Sequence, residues 1–160
     1  MIKPLLTLAV LAVAFTAAQS HATGQKLEAN DTIQGLGERV PAGRKNVSLS
    51  PLFKVYTFEK SGLTFAQINS SKDEVITVMA VTPGAQSRLP IGLAAQEPLI
   101  VVNDEKDRPL GMVTAAASCP CSATVVYQDS KQMIVVVYGS NGEYITSYVL
   151  PRSASSIPRE

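Results

Sequence analysis

The pair Asn141-Gly142, set between the apolar run Ile134-Val135-Val136-Val137 and the strand-like segment 143–150, restricts this chain more than any other feature. Asn-Gly tolerates the positive φ angles of a tight hairpin, so the segments on either side of it are expected to run antiparallel. The run at 134–137 is apolar at every position rather than at alternate ones. That pattern predicts a central strand covered on both faces, deep in the core. Segment 123–128 precedes it across the turn Asp129-Ser130-Lys131 and completes a three-stranded meander.

A second meander lies upstream. Segment 52–59 is rich in aromatic and β-branched residues, and Lys60-Ser61-Gly62 turns it into 63–69. A turn over 70–74 then leads to 75–82, which Pro83-Gly84 ends. Sliding one meander along the other by 69 residues aligns the strands and turns of both. It matches Ser61 with Ser130, Ser71 with Ser140, Glu74 with Glu143, Ile76 with Ile145 and Thr77 with Thr146. The shared layout raises the hypothesis of a duplicated half-domain. Between the meanders, 99–102 and 111–116 read as shorter strands, and 92–96 as one helical turn. The fold class expected is mainly β: a small antiparallel sandwich or barrel built from two three-stranded meanders, with a disordered N-terminal arm.

The ends of the chain read differently. Lys3 followed by an apolar run over 5–18, with Ser20 and Ala22 three and one before a cut ahead of Thr23, has the form of a cleavable signal peptide over 1–22. The apolar run is shorter than the ~20 residues a bilayer span needs, so no membrane insertion is expected after leader cleavage. Residues 23–51 are polar and carry Gly24, Gly35, Gly37 and Gly43 without a sustained period, which predicts a flexible arm with at most one short ordered piece. The β domain then occupies 52–150 and a frayed tail 151–160. A short Ala- and Leu-rich leader favours a periplasmic or otherwise secreted destination, although Asn46-Val47-Ser48 would be a glycosylation sequon in a eukaryotic route.

Charge and composition exclude more than they assign. The chain carries 14 basic and 13 acidic residues, and loss of Lys3 with the leader brings them into balance. Scattered, balanced charge gives no footprint for nucleic acid. The one histidine, His21, lies in the leader, so the domain lacks the usual general base of hydrolases and the commonest metal ligand. There is no Gly-x-Ser-x-Gly elbow and no phosphate-cradling glycine loop. Glu59, Asp73, Glu74, Asp129 and Glu143 offer carboxylates of the kind glycosidases pair. All sit at or beside expected turns, and there is no Trp to stack on a sugar. The stretch 103–107 alternates oxygen ligands but lacks the glycine and closing glutamate of a calcium loop.

Two constellations remain. Cys119-Pro120-Cys121 can close a small disulfide with no further role, form a strained and reducible one, or hold a soft metal such as Cu(I), or Zn, aided by Met112 or Met133. Two sulfurs fall short of a full ligand set. Tyr144, Thr146 and Tyr148 fall on one face of a regular strand, with Ile145 and Val149 on the other. Tyrosines on an open sheet face supply contact area at low entropic cost. Tyr144 and Tyr148 are therefore the candidate partner-binding residues. The functional expectation is a non-enzymatic domain that binds another exported protein, as an inhibitor or accessory subunit would, through an edge strand or the tyrosine-bearing sheet face. The alternative is redox or metal chemistry at Cys119 and Cys121.

Overall fold

Segments whose side chains branch at Cβ or carry rings fit a pleated, half-buried surface better than a helix, and this chain places turn residues at every junction between them. The computed structural model describes residues 32–102 and 120–152. The leader, residues 23–31 of the arm, the strand expected at 111–116, the acidic stretch 103–107, Cys119 and the tail from 153 lie outside the described residues.

Eight strands and no helix form there: β1 (Phe53–Lys60), β2 (Leu63–Ser70), β3 (Val75–Ala80), β4 (Ser87–Arg88), β5 (Ile100–Val101), β6 (Ser122–Gln128), β7 (Gln132–Tyr138) and β8 (Tyr144–Pro151). They make two four-stranded sheets, ordered β1-β2-β3-β4 and β5-β8-β7-β6. Each sheet is a meander with one two-residue strand added beside its third member. All pairings are antiparallel except β5, which runs parallel to β8. The architecture is a small β-sandwich. No helix among the described residues is long and apolar enough to cross a membrane.

The core lies between the sheets. Phe53, Val55, Ala66, Ile68 and Met79 of the first sheet meet Val126, Ile134, Val136 and Val149 of the second. At about 1.5–3 kcal/mol for each large apolar side chain fully removed from water, this layer supplies the main driving force for folding. The central strand β7 is covered on both faces, as its unbroken apolar run predicts. Ile134 and Val136 point into the inter-sheet core, whereas Val135 and Val137 join Tyr148 in a second buried cluster on the opposite face.

Tyr148 is 6% exposed, and burial pushes its phenol above the ordinary value of 10.0. Tyr127 is raised as well, by burial first and then by Asp129 and Glu59. Because the folded phenols hold their protons more tightly than the unfolded ones, their stabilisation is complete below pH 10. It is lost as the pH climbs from there through the folded values. Urea midpoints should therefore be flat across this titration below pH 10 and fall above it. Tyr148→Phe should flatten the fall, and an unchanged alkaline slope in that variant would count against the account.

The two meanders repeat one backbone plan. Their strands begin at 53 and 122, 63 and 132, and 75 and 144, each pair 69 apart. The second hairpin of each meander carries a bulge at the matching place, between Ile68 and Asn69 and between Val137 and Tyr138. Even the turns agree. The Ser70 and Gly139 amides donate to the Glu74 and Glu143 carbonyls (both 2.9 Å), and Asp73 and Gly142 both adopt positive φ (66° and 80°). The side-chain faces, however, are reversed. Ala66 and Ile68 face the core, while their counterparts Val135 and Val137 face away from it. What recurs is the ladder and not the half-core: of the matched positions in the first meander, Ser61, Ser71 and Glu74 sit at turns, whereas Ile76 and Thr77 are buried.

Residues 32–51, expected as part of a flexible arm, are instead docked on the outer face of the first sheet. Gln67 and Asn69, both fully buried, are polar side chains on that face, and burial of such groups demands partners. The arm supplies them. The Gly37 amide donates to Gln67 Oε1 (2.7 Å), Gln67 Nε2 donates to the Glu38 carbonyl (2.7 Å), and Asn69 Nδ2 donates to the Arg39 carbonyl (2.8 Å). Arg44 adds a cation–π contact 4.8 Å from the centre of the Phe58 ring. Further on, the Val47 amide donates to Val55 of β1 and the Leu49 amide to Val126 of β6 (both 2.9 Å), so this segment bridges the two sheets at one seam. Low hydrophobicity predicted mobility, but backbone groups meeting two buried amides decided otherwise.

Candidate functional site

The bulge between Val137 and Tyr138 determines which tyrosine goes where. Val137 pairs with Thr146 but Tyr138 pairs with Tyr144, so Ile145 is skipped and the alternation along β8 breaks. Tyr144 consequently packs against the inter-sheet core, and Tyr148 belongs to the cluster on the other face. The two do not form one surface, contrary to the face-sharing that a regular strand predicts. Ile145, at 37%, is the exposed residue of this stretch.

Tyr144 is instead a wall of a cleft of about 370 Å3, where the turns 70–74 and 139–143 meet the segment returning along β3. Phe53, Ile76 and Ala94 supply apolar lining, Glu74, Glu97 and Glu143 supply carboxylates, and Leu93 borders it with 78% of its surface exposed. Two of the carboxylates weighed from the sequence, Glu74 and Glu143, thus line one cleft, with Glu143 Oε2 also accepting from the Asn141 amide of its own turn (2.9 Å). Asp73 is held elsewhere by Lys54, Nζ to Oδ1 being 2.6 Å. Asp129 caps its own turn by accepting from the Lys131 and Gln132 amides (2.7 and 2.9 Å). A smaller cleft of about 250 Å3 lies beside β5, where the buried Gln132 Oε1 has no hydrogen-bond partner.

Adjoining the larger cleft is a polar knot that sequence reading missed. Arg88 of β4 reaches between the sheets, where its Nη1 donates to Thr77 Oγ1 (2.6 Å) and to the Tyr144 hydroxyl (3.3 Å), and its Nη2 donates to Ser147 Oγ (3.3 Å). The Tyr144 and Ser147 hydroxyls are themselves 2.9 Å apart. Thr77 and Ser147 are fully buried. No carboxylate lies within ion-pair distance of Arg88 among the described residues, and its Nε is buried without a partner. Nothing local marks Arg88 in the sequence, because its partners are 11 to 59 residues away.

Cys121 is disulfide-bonded and packs against the cluster of Val135, Val137 and Tyr148, as Met133 does. Its only possible partner within the chain, Cys119, lies outside the described residues. A disulfide sulfur has no thiolate to offer a metal, so soft-metal binding at Cys121 would begin with reduction. Among the described residues no group of three or more His, Cys, Asp or Glu side chains is arranged to hold a metal ion.

The fold and site therefore define a β-sandwich with an acidic, apolar-lined cleft at one end. Comparison of the chain with protein-family models, with curated proteins and with solved structures finds no match.

Proposed function

We propose that this is an exported, non-enzymatic protein-interaction domain that receives a segment of another exported protein in the cleft beside Tyr144, as an inhibitor or accessory subunit would. The observation that carries this reading is the cleft itself. It combines an apolar lining, three glutamates and a largely exposed leucine on one concave surface, a combination suited to a basic segment flanked by apolar residues. The leader-like N-terminus supports export, and the absence of histidine from the rest of the sequence supports a binding role. The edges of the first sheet are partly taken by its own chain. The Leu89, Leu93 and Ala94 amides donate to the Val78, Val75 and Ile76 carbonyls of β3, and Val47 covers β1. Strand addition there is disfavoured, and the cleft is the better docking surface.

The test places a photo-crosslinking residue at Leu93 in the natively exported protein. The expected result is one discrete adduct whose yield falls about 10-fold in Glu97→Lys, a loss of about 1.4 kcal/mol of binding. Val40, 65% exposed, is the control crosslinking site and should give no such adduct. Adducts of equal yield from both sites, or insensitivity to the charge reversal, would overturn the reading. Intact mass of the same material should show Thr23 as the first residue.

A further inference from the structure

We infer that Arg88, with Tyr144 and Ser147, forms a carboxylate-binding subsite behind the cleft, which accepts the free C-terminal carboxylate of the docking segment. This rests on the binding role proposed above and names the chemistry of its occupant.

The argument starts from the unbalanced guanidinium. Arginine presents five N–H donors and a charge that does not titrate in proteins. In this position it finds hydroxyls alone. Two of its three bonds are 3.3 Å long, beyond the usual 2.7–3.2 Å for N–H···O, and Nε has none. Thr77 and Ser147, fully buried at positions facing the other sheet, put polar groups where a sandwich core ordinarily takes valine. Tyr144 and Ser147 share a single hydrogen bond between their hydroxyls, which leaves one further O–H for an incoming acceptor. The knot is rich in donors and poor in acceptors. A carboxylate corrects both imbalances, accepting side-on from Nε and the second N–H of Nη2, which are unused, and from a hydroxyl, a geometry that favours arginine.

The surroundings select which carboxylate. Glu74, Glu97 and Glu143 line the cleft and repel free anions and acidic segments. Tyr144 both lines the cleft and touches Arg88, so the ligand must pass the phenol to reach the guanidinium. A narrow chain end with basic or apolar residues before its terminus satisfies the acidic lining, the apolar lining and the half-buried arginine together.

The experiment titrates the isotopically labelled domain with two synthetic peptides, Ala-Lys-Leu as the free acid and as its C-terminal amide, following the resonances of Tyr144 and Ser147 by NMR. The free acid should saturate, the amide should bind at least 10-fold more weakly, and Arg88→Met should erase the difference. Arg88→Lys, which keeps the charge but not the fork, should fall between them. Ser147→Ala, a smaller change, guards against misfolding in the arginine variants and should weaken the acid a few-fold. Equal binding of acid and amide, or no saturable change with either, overturns the subsite. Equal effects from sodium acetate or inorganic phosphate alone overturn the assignment to a peptide terminus. If Arg88→Met leaves the Leu93 adduct intact while Glu97→Lys abolishes it, the subsite fails and the docking role survives.

Discussion

Replacing Gly92 by alanine is expected to destabilise the domain by about 3–4 kcal/mol. Gly92 has φ of +96°, where L-residues are strained. A Cβ there would sit 2.6 Å from the Ile76 carbonyl oxygen and 2.9 Å from that of Val75. Both obstructing atoms are backbone and cannot rotate away. They are also the acceptors for the Ala94 amide (2.8 Å) and the Leu93 amide (3.1 Å), so relieving the clash breaks the bonds that hold this segment to β3. The left-handed backbone accounts for about 1–2 kcal/mol and each lost hydrogen bond for about 1. Thermal unfolding should show a Tm lower by roughly 10–20 °C. Gly84→Ala is the matched control, since Gly84 shares a positive φ (+82°) but has nothing within 4 Å of its added carbon. A Gly92→Ala protein no less stable than Gly84→Ala would refute the steric argument. Because Leu93 and Ala94 border the cleft, the same variant should also lose the crosslink from Leu93.

Gln67→Ala should cost about 3 kcal/mol and release the arm from the first sheet. Three hydrogen bonds end at this amide, from Gly37, to Glu38 and to Asn69 Oδ1, the last at 3.0 Å. Truncation leaves the Gly37 amide and the Glu38 carbonyl facing a hydrophobic hole, at about 1–3 kcal/mol for each buried polar group without a partner. The readout is limited trypsin digestion. Arg39 and Arg44 lie in the arm, and Arg39 is further tied by donating to the Lys72 and Asp73 carbonyls (3.0 and 3.3 Å). Cleavage at these two arginines should accelerate at least 10-fold in the variant while the strands stay protected. If Gln67→Met, which keeps the volume and removes the polar atoms, shows wild-type protection, the arm is held by Arg44 on Phe58 and not by the amide.

The strands were legible because their information is local. Seven segments begin and end within two residues of their expected limits, since β-branched and aromatic runs favour extended backbone and the turns carry their own chemistry. Ser61 and Gly62 take positive φ (51° and 76°) as a tight hairpin requires, and Asp129 closes its turn with its own carboxylate. The unbroken apolar run at 134–137 also foretold that both faces of β7 would be buried.

Three features were not legible, each for a physical reason. A β-bulge adds one residue to one strand, and no residue type announces it here. Yet it separates Tyr144 from Tyr148, because a shift of one position moves every later side chain to the other face. The docking of residues 32–51 depends on Gln67 and Asn69 being buried, and an amide in a strand looks the same in sequence whether its face meets water or another segment. Arg88 meets Thr77, Tyr144 and Ser147 only after both sheets have formed and stacked. By itself, then, the sequence determined where the chain is extended, where it turns and which strand lies deepest, because those follow from the conformational preferences of neighbouring residues. Which faces meet, what covers the first sheet and which side chains share a cleft were decided by tertiary structure alone, because they depend on contacts between residues far apart along the chain.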